Sequence, residues 1–134
     1  MSDRSAEITA QVAAAVAARR PLVIHGAGSK AFYGGETRGE ALDLSGHRGV
    51  VDYDPGDLVL TARAGTPLAE LDAALGAHGQ MLGFEPPRFG GGGTLGGAVA
   101  AGLAGPRRPH SGAVRDFVLG VEAVDGRGAR VRFG

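Results

Sequence analysis

The chain has 134 residues, which is enough for one domain or part of one. Its 14 basic residues balance its 14 acidic ones, and this argues against a nucleic-acid partner or direct attachment to a membrane surface. The sequence contains no cysteine, which excludes disulfides and thiolate metal sites. The longest apolar run near the N-terminus, residues 12–18, is too short to span a bilayer, so a cytoplasmic protein without a signal peptide is expected.

The first predicted element is a helix that Ser5 caps and Pro21 ends, with Arg19 and Arg20 in its last turn. Four residues form its apolar face: Ile8, Val12, Ala15 and Val16. Short strands are then predicted at residues 22–25, 41–44, 50–53 and 58–62. Residues 31–40 are expected to form a polar loop, and residues 54–57 a turn.

A second helix follows, with Thr66 as its N-cap and Pro67 at its first position. Its buried stripe is formed by leucines at helical spacing, and glycines end it: Leu68, Leu71 and Leu75, then Gly76 and Gly79. Residues 80–82 are a candidate strand.

A third helix is capped by Thr94 and has Leu95, Val99 and Leu103 on one side. The chain closes with a hairpin of residues 117–124 and 129–133, joined by a turn at residues 125–128. Nothing after this hairpin covers its edge, and an uncovered strand is a pairing liability. The sequence therefore predicts an α+β fold that is truncated.

Glycine is the unusual residue of this chain, with 25 copies that cluster between apolar segments. Residues 86–115, the acid-free segment, contain nine of them, four arginines and no Asp or Glu. A glycine-rich loop that leads into a helix presents free N–H groups to an anion, and arginines add positive charge. The segment therefore indicates a phosphate or pyrophosphate site. Composition leaves an alternative open, which is a flexible loop before a small-residue helix that packs closely on a sheet.

Residues 26–30, the first glycine loop, begin a G-x-G-x-x-A pattern like that of dinucleotide-binding folds. The residues that follow do not continue an amphipathic helix, so a Rossmann fold is not favoured. Neither a P-loop nor a G-x-S-x-G pattern is present, which argues against a nucleoside triphosphatase and a hydrolase triad. The four histidines lack metal-ligand spacing, so no metal site is predicted.

Longer motifs carry a resemblance to a known family. Residues 54–68, DPGDLVLTARAGTPL, resemble the segment before the second FAD loop in flavoproteins of the p-cresol methylhydroxylase/vanillyl-alcohol oxidase type. A second, highly specific set is similar to the FAD-binding subunits of bacterial glycolate oxidases: FEPP at 84–87, TLGGAVAAG at 94–102, GPRR at 105–108 and GAVRDFV at 112–118. The likeness extends from about Pro21 to the last residue.

The resemblance implies the N-terminal part of a two-lobed FAD-binding domain, with one lobe at residues 1–85 and the second FAD loop and the start of the second lobe at 86–134. FAD would lie between the lobes, with its pyrophosphate flanked by the first glycine loop and by residues 92–97. The implied cofactor-binding residues are Gly26, Ala27, Gly28, Ser29, Lys30, Pro87, Gly92, Gly93, Thr94, Leu95, Gly96, Gly97, Gly102, Gly112 and Asp116. The small residues would let backbone N–H groups approach phosphate, Thr94 would cap the helix and donate its hydroxyl, and Asp116 would fix the loop.

Two departures from the family pattern are Gly93, where alanine is expected, and His110, where an aromatic residue is common. Neither removes a site built from backbone groups. Covalent flavin attachment in related enzymes uses a histidine after the first-loop glycines, a place that Ser29 and Lys30 occupy here, whereas His25 precedes the glycines. Noncovalent FAD is therefore expected.

The resemblance also implies other subunits of a glycolate oxidase complex as partners, with membrane association only through them. Family members continue into further strands and a cap domain that shapes the substrate pocket, so no catalytic residue is predicted in this chain. The leading hypothesis is an FAD-binding part of a 2-hydroxy-acid oxidoreductase. The alternatives are a non-catalytic remnant or interaction module that holds no flavin, and a D-lactate-type oxidase of the same superfamily.

Overall fold

A computed structural model describes residues 2–134 and shows the α+β architecture that the sequence predicts. The helices are α1 (Ser5–Ala17), α2 (Leu68–Gly76), α3 (Leu95–Ala101) and α4 (Arg108–Ser111), with 3-10 turns at Phe89–Gly91 and Val114–Asp116. The strands are β1 (Leu22–His25), β2 (Glu40–Asp43), β3 (Val50–Asp54), β4 (Val59–Ala62), β5 (Val121–Val124) and β6 (Arg130–Phe133). Within the described residues, no helix is long and apolar enough to cross a membrane.

The strands pair two by two, as β1–β2, β3–β4 and β5–β6. The β1–β2 pair is parallel, with Leu22 opposite Glu40 and His25 opposite Asp43. Its connection, residues 26–39, is fully described and contains turns and bends but no helix. Residues 22–43 therefore do not form a βαβ unit, in agreement with the expectation that this is not a Rossmann fold.

Helix α1 differs from its prediction at both ends. Arg4, not Ser5, occupies the N-cap position, and the carboxylate of Asp3 accepts the Ser5 N–H at 2.9 Å. The helix ends at Ala17, so Arg19 and Arg20 lie beyond its last turn rather than within it. Arg19 has a left-handed φ of 52°, and this residue reverses the chain before Pro21. On the predicted apolar face Val12 and Ala15 are buried, whereas Val16 is exposed.

The β3–β4 hairpin is closed by the turn predicted at residues 54–57. The Asp54 carboxylate accepts the N–H groups of Gly56 at 2.8 Å and Asp57 at 3.1 Å, a local bond that favours a turn. Leu58 has φ 60°, which is incompatible with an extended strand, so β4 begins one residue later than predicted.

Helix α2 buries the three predicted leucines, but its cap differs. Pro67 is the N-cap residue and no side chain caps the helix. The Thr66 hydroxyl is instead fully buried, where it accepts the Gly49 N–H at 2.9 Å and donates to the Arg63 carbonyl at 2.6 Å. The Thr66 hydroxyl is thus used in a tertiary contact and not in the helix cap that the local sequence predicts.

The main core joins α2, α3 and the second 3-10 turn through five buried residues: Leu68, Leu71, Phe84, Ala98 and Val114. The buried face of α3 is Ala98, whereas Val99 is exposed and the helix ends before Leu103. The candidate strand at residues 80–82 is not formed. The Gln80 side chain instead accepts the Tyr53 hydroxyl at 2.6 Å and donates to the Pro55 carbonyl at 2.8 Å.

The final hairpin is shorter than predicted, because residues 117–120 lie outside it. Phe117 follows the second 3-10 turn and packs on Phe84, with ring centroids 6.0 Å apart. The hairpin turn approaches α1, since a Cβ placed on Gly128 would lie 3.1 Å from the Ala13 Cα. Helix α1 also contacts β5, so the hairpin is partly covered from within the chain.

Candidate functional site at two glycine loops

The first glycine loop and the second glycine loop, residues 90–93, lie against each other. A Cβ placed on Gly26 would be 2.5 Å from the Thr94 Oγ1, which is too close for any side chain. A Cβ placed on Gly92 would be 4.0 Å from the Ser29 Cβ, and one on Gly93 would be 3.9 Å from the Ser29 Oγ. These contacts define a seam between the loops, and only glycine at position 26 lets the seam close.

The end of β1 fixes the start of the first glycine loop. The His25 carbonyl accepts the Leu44 N–H at 2.9 Å, and the His25 ring lies 3.7 Å from the Asp43 carboxylate across the β1–β2 pair. Gly28 then adopts φ 69°, in the left-handed region that favours glycine. The loop therefore turns sharply at a defined point, immediately after a strand.

The backbone N–H groups along the seam have no acceptor inside the described part of the chain. In residues 2–134, no hydrogen bond is formed by the amides of residues 26–30, nor by those of Gly93 and Thr94. Gly93 and Thr94 are buried. Ala27 and Gly28 are exposed, and the other three residues of the first loop are half-buried. Buried amides without partners are rare in proteins, so the two at Gly93 and Thr94, beside the donors of the first loop, suit an anion with several oxygens.

The start of α3 is occupied by internal hydrogen bonds. The Leu95 N–H donates to the Thr66 carbonyl at 2.9 Å, the Gly96 N–H to the Ala64 carbonyl at 2.8 Å, and the Gly97 N–H to the Thr94 Oγ1 at 3.2 Å. Thr94 is thus the N-cap, as predicted. The expectation that the helix start offers free N–H groups does not hold in this conformation, because the loop before α2 and the Thr94 side chain already accept them.

Glycine is required at position 96 because of packing within the chain. A Cβ placed on Gly96 would lie 2.7 Å from the Ala64 Cβ and 3.0 Å from the Ala64 carbonyl oxygen. Gly96 therefore lets α3 pack on the loop before α2. This contact could not be predicted from local sequence patterns, because the two segments are distant along the chain.

The remaining predicted residues lie after α3 and beside the second loop. Asp116 accepts the Ala113 N–H at 2.7 Å, a contact that holds the turn at residues 114–116. Gly112 has φ 96°, and a Cβ there would lie 3.0 Å from the Asp116 carboxylate. Gly102 ends α3 with φ 61°. Pro87 is half-buried and precedes the second loop.

The charges of the acid-free segment are partly neutralised by carboxylates from outside it. Arg88 pairs with Asp72 at 2.6 Å, and Arg107 lies 3.7 Å from Glu85. The expectation that these arginines act without competing carboxylates is therefore wrong for both. The reason is tertiary, since Asp72 belongs to α2 and Glu85 directly precedes the segment.

Two shallow cavities lie near these charges rather than at the seam. One of about 290 Å³ is lined by Arg108, Pro109, Gly112, Ala113, Arg115 and Asp116. The other, of about 180 Å³, is lined by residues around the Arg88–Asp72 pair. Neither lining contains a residue of the two glycine loops.

Sequence reasoning missed an aromatic contact at the end of the seam. Phe32 and Phe89 pack edge to face, with ring centroids 5.0 Å apart and an interplanar angle of 85°. Each is the first aromatic residue next to its glycine loop along the chain, which was the available signal.

Residues 3–134 match the family described as the FAD binding domain. This match covers almost the whole chain, and the chain belongs to that family. It is also 54% identical over 132 residues to the glycolate oxidase subunit GlcE of Escherichia coli (strain K12). That alignment covers 98% of this chain and 38% of the relative, so the chain spans well under half of the relative's length.

Proposed function

We propose that this chain binds FAD noncovalently, with the pyrophosphate at the seam between the two glycine loops. The observation that carries the proposal is the set of amides at residues 26–30 and at Gly93 and Thr94 that form no hydrogen bond within the described part of the chain. A diphosphate supplies the acceptors that these donors lack, and a Cβ placed on the exposed Gly28 would meet nothing within 4 Å, so the backbone of the first loop is open there. Ser29 and Lys30 add a hydroxyl and a positive charge on the same loop.

The other predicted residues have supporting roles in this proposal. The helix start at Leu95, Gly96 and Gly97 fixes the second loop through internal bonds, rather than by donating to phosphate. Gly102, Gly112 and Asp116 shape the segment after α3, and Pro87 directs the chain into the second loop. In this proposal residues 1–85 and 86–134 belong to two lobes that flank the cofactor and share the core of α2, α3 and the second 3-10 turn.

Noncovalent attachment is supported by the chemistry of the first loop. His25 is the histidine nearest to it, and its Nδ1 lies 3.3 Å from the Gly26 carbonyl and 3.7 Å from the Asp43 carboxylate. It precedes the loop and is oriented by β2. Ser29 and Lys30 occupy the place where a flavin-linking histidine would stand.

The chain would serve as the FAD-binding part of a 2-hydroxy-acid oxidoreductase that acts on glycolate. This rests on the 54% identity to a glycolate oxidase subunit. Bound FAD supplies the redox chemistry, while the protein binds and orients the cofactor. Partners would be the other subunits of such a complex, in the cytoplasm, with any membrane contact made through them.

The test compares FAD, FMN and riboflavin by fluorescence quenching, with inorganic pyrophosphate as a competitor. If the seam holds the pyrophosphate, FAD binds more tightly than riboflavin and pyrophosphate competes with it. Equal affinity for FAD and riboflavin would show that phosphate is not recognised at the seam. A protein that binds no flavin would support the alternative of a non-catalytic module of the same fold.

A further inference from the structure

Three pairs of neighbours follow the seam in antiparallel order. Gly26 lies beside Thr94 with no room for a Cβ between them, Ser29 lies near Gly92 and Gly93, and Phe32 packs on Phe89. As the chain runs forward from residue 26 to residue 32, the residues that face it run backward from residue 94 to residue 89. The first contact is at the buried Thr94, and the last is at two exposed rings.

The aromatic contact is unusual for its place on the surface. Phe32 is 70% exposed and Phe89 is 40% exposed, yet the two rings adopt the edge-to-face geometry that aromatic pairs prefer. Two exposed apolar rings gain little from burial, so their contact chiefly joins the segments that carry them. Phe32 lies two residues after the first glycine loop and Phe89 directly precedes the second, and glycine makes both loops intrinsically flexible.

We propose that Phe32 and Phe89 are positioning residues that clasp the open end of the seam and hold the amides of the two loops in register. The inference rests on the proposed function and deepens it. Donors that are ordered before binding spare the ligand the entropy cost of ordering them. Among the described residues, the other close approaches along the seam are at Gly26 and Ser29.

If the two rings hold the loops in register, removing either ring should lower the affinity for every ligand of the loop amides by the same factor. Phe32→Ala and Phe89→Ala should each weaken FAD and inorganic pyrophosphate by the same factor, about 2- to 10-fold, the range for one aromatic pair. The double variant should be no weaker than either single one, because both remove the same contact. Phe89→Tyr keeps the ring and should restore wild-type affinity.

Tyr33→Ala is the matched control. Tyr33 follows Phe32, is 63% exposed, and forms no aromatic pair within the described residues. Its substitution should leave both affinities unchanged. If the phenylalanine variants weaken FAD but not pyrophosphate, the rings contact the cofactor instead of holding the loops, and the clasp is overturned.

A measurement without ligand separates this inference from the proposed function. If Phe89 helps to hold the first glycine loop, Phe89→Ala should lower the NMR order parameters of the amides at residues 26–30 from about 0.85 toward 0.6 or less. Unchanged order parameters there would overturn the clasp even if FAD binds. Conversely, a wild-type chain that binds neither FAD nor pyrophosphate refutes the proposed function, while the order parameters still decide the clasp.

Discussion

At the scale of single residues, Gly26 shows how one missing side chain can let two segments approach each other. Its φ lies outside the left-handed region, so the need for glycine is steric rather than conformational. The space that a Cβ would fill is taken by the Thr94 hydroxyl. The first glycine loop can approach the second only because position 26 has no side chain.

Gly26→Ala should therefore separate the loops and weaken FAD binding by about tenfold or more, equivalent to about 1.4 kcal/mol. Binding is measured by fluorescence quenching beside a thermal melt. Gly126→Ala is the control, because a Cβ there meets nothing within 4 Å and its φ is not left-handed. Equal FAD affinity in the two variants would mean that the Gly26–Thr94 contact has no part in binding.

His47 gives the fold a dependence on pH at a site away from the loops. Its Nδ1 accepts the Arg4 N–H at 3.0 Å, a bond that only the neutral ring can accept. Burial lowers the pKa of His47 below its ordinary value, and the nearby Arg63 and Arg4 act in the same direction, against Asp3 and Glu122. In the unfolded chain the ring therefore takes up a proton at higher pH than in the folded one.

It follows that the stability associated with neutral His47 is fully present above about pH 6.5, the unfolded value, and is lost as pH falls through the folded-state pKa. Denaturant unfolding at pH 7.5 and pH 5 should show a lower free energy of unfolding at pH 5. His47→Gln removes the titrating group and should lose less over the same interval. If the variant loses as much free energy of unfolding as the parent between pH 7.5 and pH 5, groups other than His47 cause the loss.

At the scale of elements, the start of α3 shows where sequence-based prediction succeeds and where it fails. The Thr94 cap and strand β1 were predictable because their causes are local: a hydroxyl before a helix, and an apolar run between Pro21 and Gly26. The bonds from Leu95 and Gly96 to residues 64–66 were not, because they depend on a segment distant in sequence. Thr66 failed as a predicted cap for the same reason.

This difference gives Gly96 a structural role that can be measured. Gly96→Ala should lower the free energy of unfolding by about 1–3 kcal/mol, because the added methyl group forces α3 away from Ala64. Chemical denaturation measures this directly. Gly76→Ala, at the end of α2 with nothing within 4 Å of its added Cβ, should be neutral or stabilising. If Gly96→Ala is also neutral, the loop adjusts and the packing argument fails.

At the scale of the whole molecule, the β5–β6 hairpin leaves apolar surface open. Val121 pairs with Phe133 and Ala123 with Val131, so these four side chains share one face of the two-stranded sheet. Phe133 is 64% exposed, and the preceding Leu119 is 73% exposed. Helix α1 approaches the hairpin turn but leaves Leu119 and Phe133 exposed.

The isolated chain should therefore self-associate as its concentration rises, because association covers this face. Sedimentation at several concentrations should show a growing average mass, and Leu119→Lys with Phe133→Lys should reduce it. Leu58→Lys, at an equally exposed leucine in the β3–β4 turn, is the control. A monomer at every concentration, with a sharp cooperative melt, would contradict this expectation.

The seam also affects the order in which parts of the chain fold. Gly26 and Thr94 are separated by β2, β3, β4 and α2, so their contact closes a long stretch of chain. The hairpin and helix between them form from neighbouring residues, whereas a long loop is slow to close. We expect the seam to form after the folding transition state, so that FAD slows unfolding without accelerating refolding. Stopped-flow kinetics with and without FAD would then differ in the unfolding arm alone.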